Sequence, residues 1–182
     1  MKKKVRVVGF DDSFKGDVCY LVGCVTESSY VEGFMVERIS VDGMDATEKI
    51  LKMLSKSKFR EQIKCVFLSG ITFGGFNVVD IEEIHRRTNV PVIVVMRKMP
   101  DMVKIERALK NVSMPERRLE IFRKAGEVKK VGSLFVQLKG CDVEFAESVI
   151  KATTTKGNVP EALRIAHLVA SAIIHGESRG KV

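Results

Sequence analysis

The feature that most constrains the fold is a change of period near Asp42–Ala46. Before it lie three strand-like runs, Val5–Phe10, Val18–Thr26 and about Gly33–Val41. Their links, Asp11–Asp17 and Glu27–Glu32, are short enough for antiparallel hairpins. After it, helical and strand patterns alternate. Ala46–Leu54 puts Ile50, Leu51 and Leu54 on one helical face, with Asp45 as its N-cap. Cys65–Ser69 and Pro91–Met96 are short apolar runs of the kind found in buried parallel strands. Asn77–Arg87 reads as a helix striped by Val78, Ile81 and Ile84. Helices follow over about Asp101–Lys110 and Pro115–Ala125, then a strand at Leu134–Leu138, then helices near Val143–Thr153 and Pro160–Ile174. A meander followed by β-α-β-α units predicts one α/β domain over residues 1–182, a mixed sheet with helices on both faces.

Acidic residues mark the ends of two of these runs. Asp11 and Asp12 follow Val5–Phe10, and Asp42 and Asp45 follow Gly33–Val41. If the runs are strands of one sheet, the carboxylates can meet at one edge. Clustered carboxylates repel unless a cation lies between them, so Asp11, Asp12 and Asp42 are candidate metal ligands. The plainer reading makes Asp11-Asp12 turn formers and Asp42–Asp45 a turn with a helix cap.

The chain carries 31 Lys plus Arg against 23 Asp plus Glu, a net charge of +8, which favours a polyanionic partner such as DNA or RNA. Arg97-Lys98 ends a buried strand, where α/β proteins place ligands. Gly70–Asn77, with Gly74 and Gly75, joins a strand to a helix and is either a phosphate contact or a packing turn. Arg164 and His167 share a helix face, His167 being either catalytic or a structural histidine. His85 is expected to be exposed. The run Lys52, Lys56, Lys58, Arg60 and Lys64 reads most simply as a solvated face. No GxSxG surrounds Ser69, which argues against a serine hydrolase.

No apolar stretch reaches 18 residues, and Met1–Val5 lacks the features of a signal peptide. The four cysteines lack CxxC spacing, and Cys19, Cys24 and Cys65 lie in apolar runs, as buried reduced thiols do. The expected setting is cytoplasmic, with no membrane span.

Four segments together resemble the endonuclease V group: Gly9-Phe-Asp-Asp12, Ser69–Asn77, Val90–Lys98 and Val159–His167. More closely, the chain is similar to a mostly archaeal family of uncharacterised relatives of those nucleases. The resemblance runs from about Val5 to Ala172. It implies an RNase H-like fold and a nuclease that uses Mg²⁺. It makes Asp11 the first metal ligand, Asp42 or Asp45 a looser second, Lys98 a phosphate contact and His167 the group that orients or protonates. Ser69-Gly70 stands where the family's Asp-Gly is expected. A serine hydroxyl is a weak neutral ligand, so weak or absent cleavage is expected. The readings left open are a nucleic-acid-binding nuclease, a non-catalytic binding module on the same fold, and a small-ligand protein using the glycine turn.

Overall fold

The computed structural model describes residues 4–180. The basic start, Met1–Lys3, lies outside them. Strands β1 (Arg6–Lys15), β2 (Val18–Glu27) and β3 (Tyr30–Ile39) form the antiparallel meander. The first hairpin is tighter than expected. Lys15 pairs with Val18, leaving a two-residue turn at Gly16-Asp17, with Gly16 at φ 62°. Asp11 and Asp12 are therefore not turn residues. They sit inside β1, opposite Val22 and Leu21. The apolar run of β2 draws β1 into pairing along its whole length, and a two-residue turn matches the strand twist.

Helix α1 (Ala46–Lys56) begins where expected, but Asp45 does not cap it with its side chain. The Asp45 carboxylate accepts from Ser40 N at 3.1 Å and Asn77 Nδ2 at 2.7 Å. The Ala46 amide instead donates to Asn77 Oδ1 at 3.0 Å, so a distant side chain caps the helix. Strand β4 (Cys65–Leu68) runs parallel to β1. A small hairpin follows, β5 (Thr72–Phe73) and β6 (Asn77–Val78). Helix α2 (Ile81–Thr88) thus starts later than Asn77, capped by Asp80, which accepts from Glu83 N at 2.9 Å. Hairpin pairing claims Asn77 and Val78, and Asp80 is the stronger cap.

Strand β7 (Val92–Met96) lies parallel to β4. Helices α3 (Met102–Leu109) and α4 (Pro115–Lys124) follow, the second with Pro in its first turn. Strand β8 (Lys129–Val131), which the sequence reading missed, pairs with β9 (Leu134–Lys139), itself antiparallel to β7. Helices α5 (Val143–Thr153) and α6 (Glu161–His175) complete the chain. The seven-stranded order is β3-β2-β1-β4-β7-β9-β8.

Strand alternation divides the core. Val8, Phe10, Val66, Leu68, Val92 and Val94 pack with α1, α2 and α4. Val7, Cys65, Phe67, Ile93 and Val95 pack with α5 and α6. Helices cover both faces, as expected. Helix α6 crosses β1 so closely that a Cβ on Gly9 would lie 2.6 Å from the backbone of Ala162 and Leu163. That contact fixes the side chains two residues on, at Asp11. Cys19, Cys24 and Cys65 are buried free thiols, and burial pushes the Cys19 thiol up to about 12. No helix among the described residues is long and apolar enough to cross a membrane.

Candidate functional site

Alternation along β1 sends neighbouring acids to opposite faces. Asp11 faces α6, and Asp12 faces the other way. Asp11 is 8% exposed, and its Oδ2 lies 3.0 Å from His167 Nδ1. Its Oδ1 accepts from the Asp12 amide at 2.9 Å. The hydrogen bond to Asp11 is the main cause that raises the His167 pKa above its usual 6.5. Asp11's charge and the Arg179 carbonyl add to it, while burial and the charge of Arg97 oppose it.

This pair lies in a cavity of about 450 Å³. Ser69 and Gly70, at the end of β4, line it beside Asp11. Arg97 and Lys98, past the end of β7, bring exposed positive charge. Val95, Met96, Val159 and Leu163 make an apolar wall. Arg164 also lines the cavity, but it is anchored. Its Nε donates to Glu161 Oε1 at 2.8 Å, and Glu161 Oε2 accepts from Thr155 Oγ1 at 2.8 Å. Glu161 is only 6% exposed. The sequence reading gave it no role, although its i, i+3 spacing to Arg164 was a visible sign. The structure therefore brings together Asp11, Arg97, Lys98, Arg164 and His167.

It does not bring Asp12 or Asp42 to them. Asp12 Oδ2 accepts from the Gly74 amide at 2.8 Å and from Cys19 Sγ at 3.5 Å. Asp42 has a left-handed backbone, φ 53°, and its Oδ1 accepts from the Phe76 amide at 2.9 Å. The Asp42 amide returns a bond to Gly74 O at 2.8 Å. A Cβ on Gly75 would lie 2.3 Å from Asp42 Oδ1, so glycine is needed there. Of the two readings of Gly74 and Gly75, these bonds favour the packing turn. The turn is an anion site, but the amides of Gly74 and Phe76 are given to the protein's own Asp12 and Asp42. Asp80 is likewise taken, by its cap and by Lys124 at 2.8 Å. His85 is not exposed: its Nδ1 lies 2.9 Å from Val90 O, and its ring fills the space beside Gly140.

The expected Mg²⁺ site can be tested on these donors. Among the described residues, no three His, Cys, Asp or Glu side chains are arranged to hold a metal ion. Asp11 stands as the cavity's carboxylate, both its oxygens already accept, and Ser69 is neutral. This donor set does not fit a preformed divalent-cation site.

Burial raises the Asp12 carboxyl to about 6 from its ordinary 3.8, against the pull of the Gly74 amide. A carboxyl with a raised folded pKa adds stability below its unfolded pKa, and loses it as pH rises through the folded one. Asp12→Asn keeps an acceptor for Gly74 and removes that dependence. The variant is expected to gain on the wild type between about pH 4 and 7, by on the order of 2 kcal/mol. Thermal unfolding of both at several pH values checks this, and a difference that does not change with pH would contradict it.

A family model described as Endonuclease dU matches residues 3–174. A UPF0215 protein of Archaeoglobus fulgidus is 54% identical over 179 residues, covering 98% of this chain and 99% of that one. A crystal structure of a protein of unknown function from the same organism superposes with a TM-score of 0.93 at 52% identity, covering 94% of this chain and 99% of that chain. Endonuclease V of Ciona intestinalis, solved with inosine-containing DNA, superposes with a TM-score of 0.62 at 14% identity, covering 94% and 86%. That likeness establishes the RNase H-like fold expected from the sequence. Matched across nearly its whole length, the chain belongs to the endonuclease dU family.

Proposed function

We propose that the cavity at Asp11 and His167 binds nucleic acid, and that the protein cuts a phosphodiester beside a deoxyuridine. The observation that carries this reading is the Asp11–His167 pair, set in a cavity with Arg97, Lys98 and Arg164 around it and an apolar wall. The family's description supplies deoxyuridine as the substrate class. A base drawn out of its stack would rest on Val95, Met96 and Leu163. Arg97 and Lys98 would hold the adjoining phosphates. Attack by water forms one P–O bond and breaks another, with the water's proton passing through solvent to the leaving oxygen, and the imidazole of His167, paired with Asp11, would offset the charge that gathers on the phosphate. No step is assigned to a metal, because the donor set does not fit one.

A second reading has one observation in its favour. Ser69 stands where the resemblance to endonuclease V leads one to expect Asp, and Asp12 and Asp42 are tied up elsewhere. A protein with this fold and a single carboxylate in its cavity would bind without cutting. Oligonucleotides with uracil, with inosine or with neither, tested with Mg²⁺, Mn²⁺ or chelator, separate the two. Cutting confined to the uracil strand supports the first reading, and binding without cutting under every condition supports the second.

Lys98 gives a prediction common to both. Lys98→Ala is expected to weaken single-strand binding and to reduce the log–log salt slope by about 0.7, the release from one phosphate contact. The loss should be similar for all sequences, because phosphate contacts do not read bases. An unchanged slope would place the nucleic acid elsewhere, for instance along Lys56 and Lys58.

A further inference from the structure

The chain beyond α6 makes contacts that the proposed chemistry leaves unexplained. It turns at Gly176, φ 79°, and runs back along the helix. Ser178 Oγ donates to Leu168 O at 2.7 Å. The Arg179 amide donates to Ser171 Oγ at 2.8 Å, and that hydroxyl lies 3.5 Å from the Arg179 carbonyl. The same carbonyl lies 3.3 Å from His167 Nε2. Ser171 is 3% exposed, so its hydroxyl is committed to this one peptide.

The imidazole is thus held at both nitrogens. A carbonyl oxygen only accepts, so Nε2 must carry a hydrogen to bond it. An ionised Asp11 also only accepts, so Nδ1 must carry one too. Asp11 alone fixes one point of the ring and leaves it free to swing. The Arg179 carbonyl supplies the second point. Outer hydrogen-bond partners commonly fix the orientation of a functional histidine in this way.

We propose that residues 176–179 form a latch and that Ser171 is a positioning residue. By clamping the Arg179 peptide, Ser171 holds the His167 ring as a double donor facing Asp11. The latch rests on the functional reading only for its effect on cleavage. A small misplacement of a reacting group costs a large factor in rate.

Two full-length variants test this. Ser171→Ala removes the clamp and keeps a good helix former in α6. Arg179→Pro removes the amide donor, since proline has no N–H. The first readout is the ring N–H protons of His167 in ¹⁵N-histidine-labelled protein at about pH 6, below the raised pKa of the ring, assigned by comparison with His167→Gln. Wild type should show both ring protons protected from exchange. Either variant should lose exchange protection at Nε2 and keep it at Nδ1. The second readout is single-turnover cleavage of a uracil-containing strand, which should slow about tenfold with DNA affinity unchanged. If both variants keep both ring protons protected, the latch is wrong. If cleavage holds its rate or quickens once Nε2 protection is lost, the positioning role is wrong. A wild type that binds but never cuts would overturn the functional reading alone, and the ring protons would still decide the latch.

Discussion

Arg118→Met is expected to cost about 3–5 kcal/mol of folding stability, the largest loss for a single exposed-looking residue in this chain. Arg118 lies on α4 and is 1% exposed. Its guanidinium donates to backbone carbonyls on three separate segments. These are Ser113 O at 2.6 Å, Gly43 O at 2.8 Å, Phe76 O at 2.5 Å and Asp42 O at 2.5 Å. Methionine fills similar space and donates nothing, so four part-buried carbonyls lose this donor. The same bonds tie the Asp42 turn to the glycine turn, so both should loosen together. Urea unfolding measures the total, and amide exchange at Phe76 reports the local effect. A loss below about 1 kcal/mol would show that water replaces the guanidinium at little cost. Arg118→Lys should fall between the two, because an ammonium cannot reach three segments at once.

Asp11→Asn is expected to slow cleavage of uracil-containing DNA by about 100-fold or more. Asparagine keeps an acceptor near His167 but removes the charge that helps raise the pKa of the imidazole. At neutral pH fewer rings are then protonated, and the phosphate loses part of the positive charge that offsets its own. Binding should hold or tighten, since a negative charge has gone from beside Arg97 and Lys98. The pH profile gives an independent sign. A histidine with a raised folded pKa adds stability below its unfolded pKa of 6.5, and loses it as pH rises through the folded one. Asp11→Asn should flatten that part of the stability curve. Cleavage near the wild-type rate would remove Asp11 and His167 from the chemistry, and a wild type that does not cut would leave the binding prediction standing by itself.

What the sequence by itself determined follows from local periods. The apolar run of Val18–Thr26 and the period of 3.6 in Ala46–Leu54 are written in neighbouring residues, so the meander and α1 were legible. Helix α5 fell on Val143–Thr153 as read, because Asp142 caps it from the adjoining position. The same logic failed at Asn77. Its partners, Ser40, Asp45 and Ala46, lie more than 30 residues away, and they overrode a helical pattern. The pocket divides in the same manner. Asp11, Lys98 and His167 stood out through their places at the ends of runs and on one helix face. Alternation alone implied that Asp11 and Asp12 point apart, but not which face α6 would cover. The close approach at Gly9 decided that. Nor does anything in Arg117-Arg118 mark one arginine as buried, or anything in Gly74-Gly75 show whose carboxylates its turn will hold. Those depend on segments far apart in the chain meeting in space, where buried donors and acceptors must find one another.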